Sequence, residues 1–227
     1  MGRISLFFLL SNYALAQMYS ANVYGFPVAK AEYKLRADSV SLTFETVGIL
    51  DMIWPTINSY STHFDSTHFG LKSFHKKIKQ DDIKQSTLMK LENSLLKYGK
   101  ESQNRNDSTQ TMFTMFVRLA RQSQETIDTK WFNLDHEGKQ MRGRFLWAGT
   151  ETVKIGNTNI LCDNFRMDIE NIDETDGFLE TTDRLMKYIS DPNKVRQIWV
   201  ERNGNRRIIR VTMTAYGFPY DILIDHE

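Results

Sequence analysis

The chain's 227 residues, 41% hydrophobic and 25% charged, allow one domain or two small ones of ordinary globular composition. The 29 basic and 28 acidic residues nearly cancel, which removes the overall field expected of a nucleic-acid or anionic-membrane binder. One cysteine excludes an internal disulfide framework and any multi-cysteine metal site, and 4 Pro with 12 Gly exclude collagen-like and low-complexity chains.

The first sixteen residues read as an export signal rather than a buried N-terminal strand. Arg3 supplies the positive start, Ile4 to Leu10 a short apolar core, and Ala14-Leu15-Ala16 a small-residue cleavage site before Gln17. The apolar run is far shorter than the roughly 20 residues of a spanning helix, and no later segment reaches that length. No cysteine follows it to carry a lipid anchor. The expectation is a periplasmic or secreted protein, not membrane-spanning, whose mature part is a single β-rich domain over residues 17–227. N-terminal sequencing of exported protein is expected to begin at Gln17; finding Arg3 there would defeat the reading.

Beyond the leader, period-two alternation dominates, as it does in strands with one buried face. Ala31, Tyr33, Leu35 and Ala37 alternate with Glu32, Lys34 and Arg36; after a turn at Asp38-Ser39 the pattern resumes through Val40, Leu42 and Phe44. Leu50–Trp54 suits a short helix or turn stopped by Pro55. Tyr60, Thr62 and Phe64 alternate next. Residues Leu88–Lys97 have helical propensity but also fit two strands around Glu92-Asn93-Ser94, and the hairpin order of the neighbours favours strands. Helical spacing appears once, in Met112, Phe113, Met115, Phe116, Val117, Leu119 and Ala120, with Asp107 read as the N-cap and Gln110 as its capping-box partner. A helix apolar over more than half its circumference must be covered on more than one side or line a cavity. Turns follow at Glu137-Gly138 and Gly156-Asn157, strands at Met141–Trp147 and Phe165–Glu170, and an acidic turn at Ile172–Gly177. Asn203-Gly204 is the strongest hairpin signal, joining Gln197–Arg202 to Arg206–Tyr216. The order predicts a mainly β (α+β) fold: one strongly curved antiparallel sheet or open barrel with one apolar helix on its concave face.

Chemistry-bearing motifs are scarce. There is no nucleophile elbow, zincin helix, P-loop or dinucleotide fingerprint. His63, Asp65, His68 and His75 lack converging partners for a metal, and a solvated strand edge accounts for them. Asp168 and Glu170 share a face opposite Phe165, Met167 and Ile169, where solvation explains them. Asp51 reads as a cap or turn residue, Cys162 as an inert thiol, and Arg202, Arg206, Arg207 and Arg210 as hairpin charges. What remains is aromatic and sulfur-rich apolar content: 14 Phe, 9 Tyr, 4 Trp and 10 Met. Met112, Phe113, Phe116, Phe145 and Trp147 are the candidate ligand-binding residues, with no catalytic residues, metal or cofactor.

The order of segments resembles an exported bacterial family in the domain-of-unknown-function series, number three thousand one hundred and eight. The resemblance rests on Tyr24 to Ala29, Phe44 to Gly48, Asp51 with Trp54-Pro55, the helix from Asp107 to Arg121, Glu137-Gly138-Lys139, Gly156, Cys162 and Tyr188 to Asp191. That family often has a second acidic residue where this chain has Pro192. The resemblance implies a periplasmic or secreted protein of unsettled function, and the layout also looks like that of envelope lipoprotein carriers, open barrels closed by helices. The leading expectation is a non-enzymatic envelope protein binding a lipid or acyl chain. A scaffold or assembly partner for another envelope protein is the alternative, and a hydrolase with dispersed acids is third.

Overall fold

The computed structural model describes residues 15–173, 177 and 183–225. The leader up to residue 14 and most of the acidic stretch after Asp173 lie outside the described residues. The strands are β1 (Leu15–Val23), β2 (Phe26–Leu35), β3 (Ser39–Thr46), β4 (Thr56–Phe64), β5 (Leu71–Gln80), β6 (Ile83–Glu92), β7 (Leu95–Tyr98), β8 (Glu101–Asn104), β9 (Trp131–His136), β10 (Lys139–Ile155), β11 (Thr158–Asn171), β12 (Arg196–Glu201), β13 (Ile208–Ala215) and β14 (Phe218–Ile224). Short helices interrupt them: α1 (Gly48–Ile53), α2 (Met112–Arg121), α3 (Gln124–Ile127) and α4 (Arg184–Ile189). About 13% of the described residues are helical, and no helix among them is long and apolar enough to cross a membrane.

All fourteen described strands form one antiparallel sheet. Each pairs with its sequence neighbour, except that β8 and β9 are the two edges and β1 pairs with β14 in the middle. The alternation expected from the sequence at Tyr60, Thr62 and Phe64 is realised in β4, and the next strand shows it too. In β4, Thr56, Asn58, Tyr60, Thr62 and Phe64 point inward; in β5, Leu71, Phe74, Lys76, Ile78 and Gln80 do. The ambiguous segment is two strands, joined at Asn93 and Ser94. Both have positive φ (52° and 60°), as a two-residue hairpin turn matching the sheet twist requires.

Two local expectations are corrected. Asp107 does not cap α2: its carboxylate accepts from the Ser94 N–H and hydroxyl, and the helix starts five residues later. The cap is Thr111, which exchanges side-chain and backbone hydrogen bonds with Thr114, the residue three positions on. Around Asn203-Gly204 the connection is wider than a two-residue turn, because β12 already ends at Glu201 and β13 begins at Ile208. There Glu201 N–H donates to Arg207 O across the loop.

The sheet does not close, and the gap between β8 and β9 is bridged by residues 105–111. Gln110 forms a short parallel bridge to β9, donating to Asn133 O and accepting from Asp135 N–H, both at 2.9 Å. Leu71 N–H donates to Thr109 O on the other flank at 2.7 Å. Gly70 makes room for this crossing, since a Cβ there would lie 2.0 Å from Asp107 O. Arg105 spans the gap, its Nε 2.7 Å from Asp135 Oδ2 and its Nη2 2.7 Å from Gly138 O. Inside the sheet, fully buried Lys76 of β5 pairs with Glu137 in the β9–β10 turn and lies 3.9 Å from Asp183, the N-cap of α4.

α2 enters the interior between β3, β4 and β9. Met115, Val117 and Leu119 are fully buried, each a burial worth about 1.5–3 kcal/mol. Gly143 of β10 lets the helix settle, because a Cβ there would stand 3.1 Å from Met115 Cε.

Candidate ligand-binding site

α2 does not fill the sheet. Phe113 packs inward against Tyr60 at 5.1 Å and Phe74 at 5.9 Å between ring centroids. Phe113 and the half-buried Phe116 face an apolar cavity of about 130 Å³. Its far wall is the inner face of β1–β3 and β12–β14, with Tyr33, Leu42, Phe44, Ile198 and Val211, and its cover is Leu185 and Ile189 of α4. A second cavity of about 90 Å³ shares Ala21, Phe44, Leu185, Met213 and Ile222 with the first, so the two lie next to each other along one trough. The second ends among Trp54, Tyr188, Tyr216 and Tyr220. Such a space lacks the several polar partners that hold a buried water.

The outer end is ringed by exposed apolar side chains. Ile49, Met52 and Ile53 of α1 are mostly in solvent, as are Tyr24 and Phe26 at the β1–β2 turn, and Phe218 at the β13–β14 turn is about half exposed. Tyr24 meets Phe218 edge to face at 6.3 Å, and Trp54 stacks on Tyr216 at 5.9 Å. Helix α1, which runs from Gly48 to Ile53 where the sequence suggested Leu50–Trp54, therefore stands at the mouth of the trough.

Of the five residues singled out from sequence, the structure places Phe113 and Phe116 on the cavity wall and the others elsewhere. Met112 and Phe145 belong to the packed core; Phe145 has no exposed surface and meets Phe165 edge to face. Trp147 lies outside the trough: a bulge between Trp147 and Gly149 ends the alternation, leaving the ring 38% exposed with its N–H 3.4 Å from Asp163 Oδ1. Four residues with polar groups also line the larger cavity, almost wholly through their carbon atoms, and were not among the five: Tyr19, Lys30, Tyr33 and Arg196. Arg196 was signalled by a charge in the inward register of Arg196-Ile198-Val200, all three of them buried.

The other chemistry-bearing groups are spoken for. Asp168 is held below the usual carboxylate range by hydrogen bonding to Arg166, reinforced by Arg144, and Glu170 pairs with Arg142. Asp65 accepts from the Thr67 N–H and hydroxyl, which lower its pKa, and His75 meets Ser86 at 3.1 Å. No group of three metal-ligating side chains occurs among the described residues. Cys162 is fully buried, and burial pushes its thiol up to about 12. The hairpin arginines each have a carboxylate: Asp163 for Arg202 and Arg206, Glu201 for Arg207 and Asp221 for Arg210. Burial raises Asp183 despite Lys76 beside it, but the lining of the trough does not include Lys76, Glu137 or Asp183.

No family model matches the chain, and no curated protein matches it. Among solved structures, it is similar to a β-barrel-like protein of domain of unknown function DUF1849 from Brucella abortus. That likeness has a TM-score of 0.61 at 13% identity, over 92% of this chain and 94% of the other. The two share an open, barrel-like antiparallel fold. Lesser likenesses are to the hypothetical lipoprotein YmcC from Escherichia coli, with a TM-score of 0.40 at 10% identity over 93% and 84%, and to a putative lipoprotein from Parabacteroides distasonis, with a TM-score of 0.37 at 7% identity over 93% of each chain.

Proposed function

We propose that the chain is an exported, non-enzymatic envelope protein that binds a hydrophobic ligand, a lipid or acyl chain, inside its curved sheet. On the order of its segments we group it with the exported family number three thousand one hundred and eight, as one β-rich unit over residues 17–227. The observation that carries the reading is the apolar trough between Phe116 and Trp54, with a ring of exposed apolar side chains at its mouth. A filled core has no such space, and an apolar wall with few polar groups is what ligand cavities present.

Phe116→Ala tests it. Phe116 already borders empty space, so its truncation is expected to cost about 1 kcal/mol, the typical single-substitution value, rather than the roughly 3–5 kcal/mol of a packed phenylalanine. Affinity for a fluorescent acyl probe is expected to change in the same variant. A large shift in denaturant midpoint, with no probe binding even by the wild type, would remove the ligand reading. Lipids copurifying with the mature protein, identified by mass spectrometry, name the ligand.

A second reading has its own observation. Ile49, Met52, Ile53, Tyr24, Phe26 and Phe218 form an exposed apolar group, which suits a scaffold docking on another envelope protein. Failure of every acyl probe to bind would leave this one standing.

A further inference from the structure

The tetrapeptide Tyr-Gly-Phe-Pro occurs twice in the chain, at 24–27 and at 216–219. Each copy turns a hairpin, the first from β1 into β2 and the second from β13 into β14. The backbone is alike in both: Tyr24 and Gly25 have φ of 49° and 83°, Tyr216 and Gly217 of 52° and 78°. Two successive left-handed residues make the tight turn that favours Asn-Gly or Asp-Gly. Tyrosine is uncommon in that conformation, so turn chemistry does not account for the aromatic. Burial does not account for the first copy either, since Tyr24 is 71% and Phe26 73% exposed. The pairing of β1 with β14, Val23 facing Tyr220, sets the two tips side by side. Both project freely: a Cβ on Gly25 or Gly217 would meet no atom within 4 Å.

Helix α1 completes the same surface. Val47, just before it, donates its N–H to Val28 O at 2.9 Å, beside the first tip. Trp54, just after it, stacks on Tyr216 of the second. None of the six helical residues is buried, although four of them are Ile49, Leu50, Met52 and Ile53. Met52 is 86% exposed. So short a helix is not stable by propensity alone, and it contributes no buried side chain to the core. Charge is nearly missing from the three loops: residues 23–28 and 215–220 carry none, and residues 47–55 carry only Asp51. The Asp51 carboxylate turns back to accept from the Thr46 hydroxyl at 3.1 Å.

We propose that these three loops are a membrane-docking surface, which enters the interfacial layer of a lipid bilayer and holds the mouth of the trough against it. Tyrosine, tryptophan and phenylalanine beside bare aliphatic side chains are the composition of a bilayer interface. A protein surface, as in the second reading above, fits less well. Specific protein interfaces ring an apolar centre with polar groups and hydrogen bonds, whereas these tips stand free with a single charge among them. The position also suits a bilayer. Trp54 and Tyr216 belong both to this surface and to the lining of the trough, so an acyl chain would pass between the two without crossing water. The docking does not depend on what the trough holds.

The test is flotation of the purified protein with vesicles of phosphatidylcholine alone, in low salt and in ~1 M salt, where charge attraction reaches only about 3 Å. The protein is expected to float with the vesicles under both conditions. Phe26→Ser combined with Phe218→Ser is expected to weaken the partition by roughly ten-fold for each ring removed, the effect of burying one such side chain. Its denaturant midpoint is expected to stay close to that of the wild type, because both sites are on the surface. Met52→Ser on α1 is a second variant with the same expected direction. Leu161→Ser, at an exposed leucine of β11 away from these loops, is expected to leave flotation unchanged. Failure of the wild type to float with neutral vesicles would overturn the proposal and leave the surface to a protein partner. Flotation that needs anionic lipid and is lost in high salt, or that is equal in all variants, would overturn it as well. Acyl-probe binding in solution is read on the wild type alone. Docking without probe binding would remove only the ligand reading of the trough, and probe binding without docking only this surface.

Discussion

Lys76→Ala is expected to destabilise the fold by about 3–5 kcal/mol, the cost of removing one partner from a buried ionic group. Lys76 has no exposed side-chain surface and lies between Glu137 and Asp183. Tyr60 donates to both Asp183 oxygens, at 3.0 and 2.9 Å, and Asn58 donates to the Tyr60 oxygen at 3.1 Å. With the cation gone, two carboxylates remain in a low-dielectric interior, and one oxygen of Glu137 already lacks a partner. Burial already raises the Asp183 pKa, and losing Lys76, which lowers it, raises it further, so the folded variant holds its proton more tightly than the unfolded chain and gains stability as pH falls. The deficit of Lys76→Ala relative to wild type is therefore expected to narrow on acidification from neutral pH. Denaturant titrations at neutral and acidic pH check it. A deficit under 1 kcal/mol at neutral pH, or one that widens on acidification, would show that water reaches the group.

Phe145→Ala is expected to cost a similar 3–5 kcal/mol, for a different reason. The ring is fully buried at the centre of β10, against Phe165, and away from the trough. Truncation leaves a void that its neighbours cannot collapse into, because strands on both sides pin β10. Acyl-probe affinity, measured on the folded fraction, is expected to stay unchanged. The pair Phe145 and Phe116 thus separates packing from binding by opposite outcomes: large stability loss with intact binding, and small stability loss with altered binding. Similar losses at both positions would mean that the helix packs as tightly as the sheet.

These two phenylalanines also mark how far the sequence is legible. Alternation in Tyr60-Thr62-Phe64 and helical spacing in Met112–Ala120 both report which side chains turn inward, and both elements are present where the spacing put them. Neither reports whether inward residues from distant strands meet. Phe116 and Phe145 look alike in sequence, yet one faces space and the other a packed ring. The same limit hid Arg196: a charge in an inward register is visible, but its use of three carbonyls around the end of α4 depends on a contact that sequence spacing cannot express. Helix α4 itself went unread, since its six residues are too short for periodicity to emerge. Asp107 misled because it fits a capping box by residue type, while the real start relies on a threonine at each position. Lys76 was the plainest unread signal, a lone charge between Phe74 and Ile78 on a strand whose other lysines alternate outward.

The pairing of β1 with β14 has a kinetic consequence. The sheet is two meanders, β1–β8 and β9–β14, each pairing sequence neighbours, most through short turns, with α1 between β3 and β4 and α4 between β11 and β12. They are joined where Tyr19 faces Ile224, residues near opposite ends of the chain. That junction is the contact of greatest sequence separation in the sheet, and chain-entropy cost delays such contacts relative to hairpins. The trough lies across the same junction, walled by Ala21 of β1 and Ile222 of β14. During folding, therefore, the cavity is expected to form after the hairpins that wall it, since it needs both meanders in place.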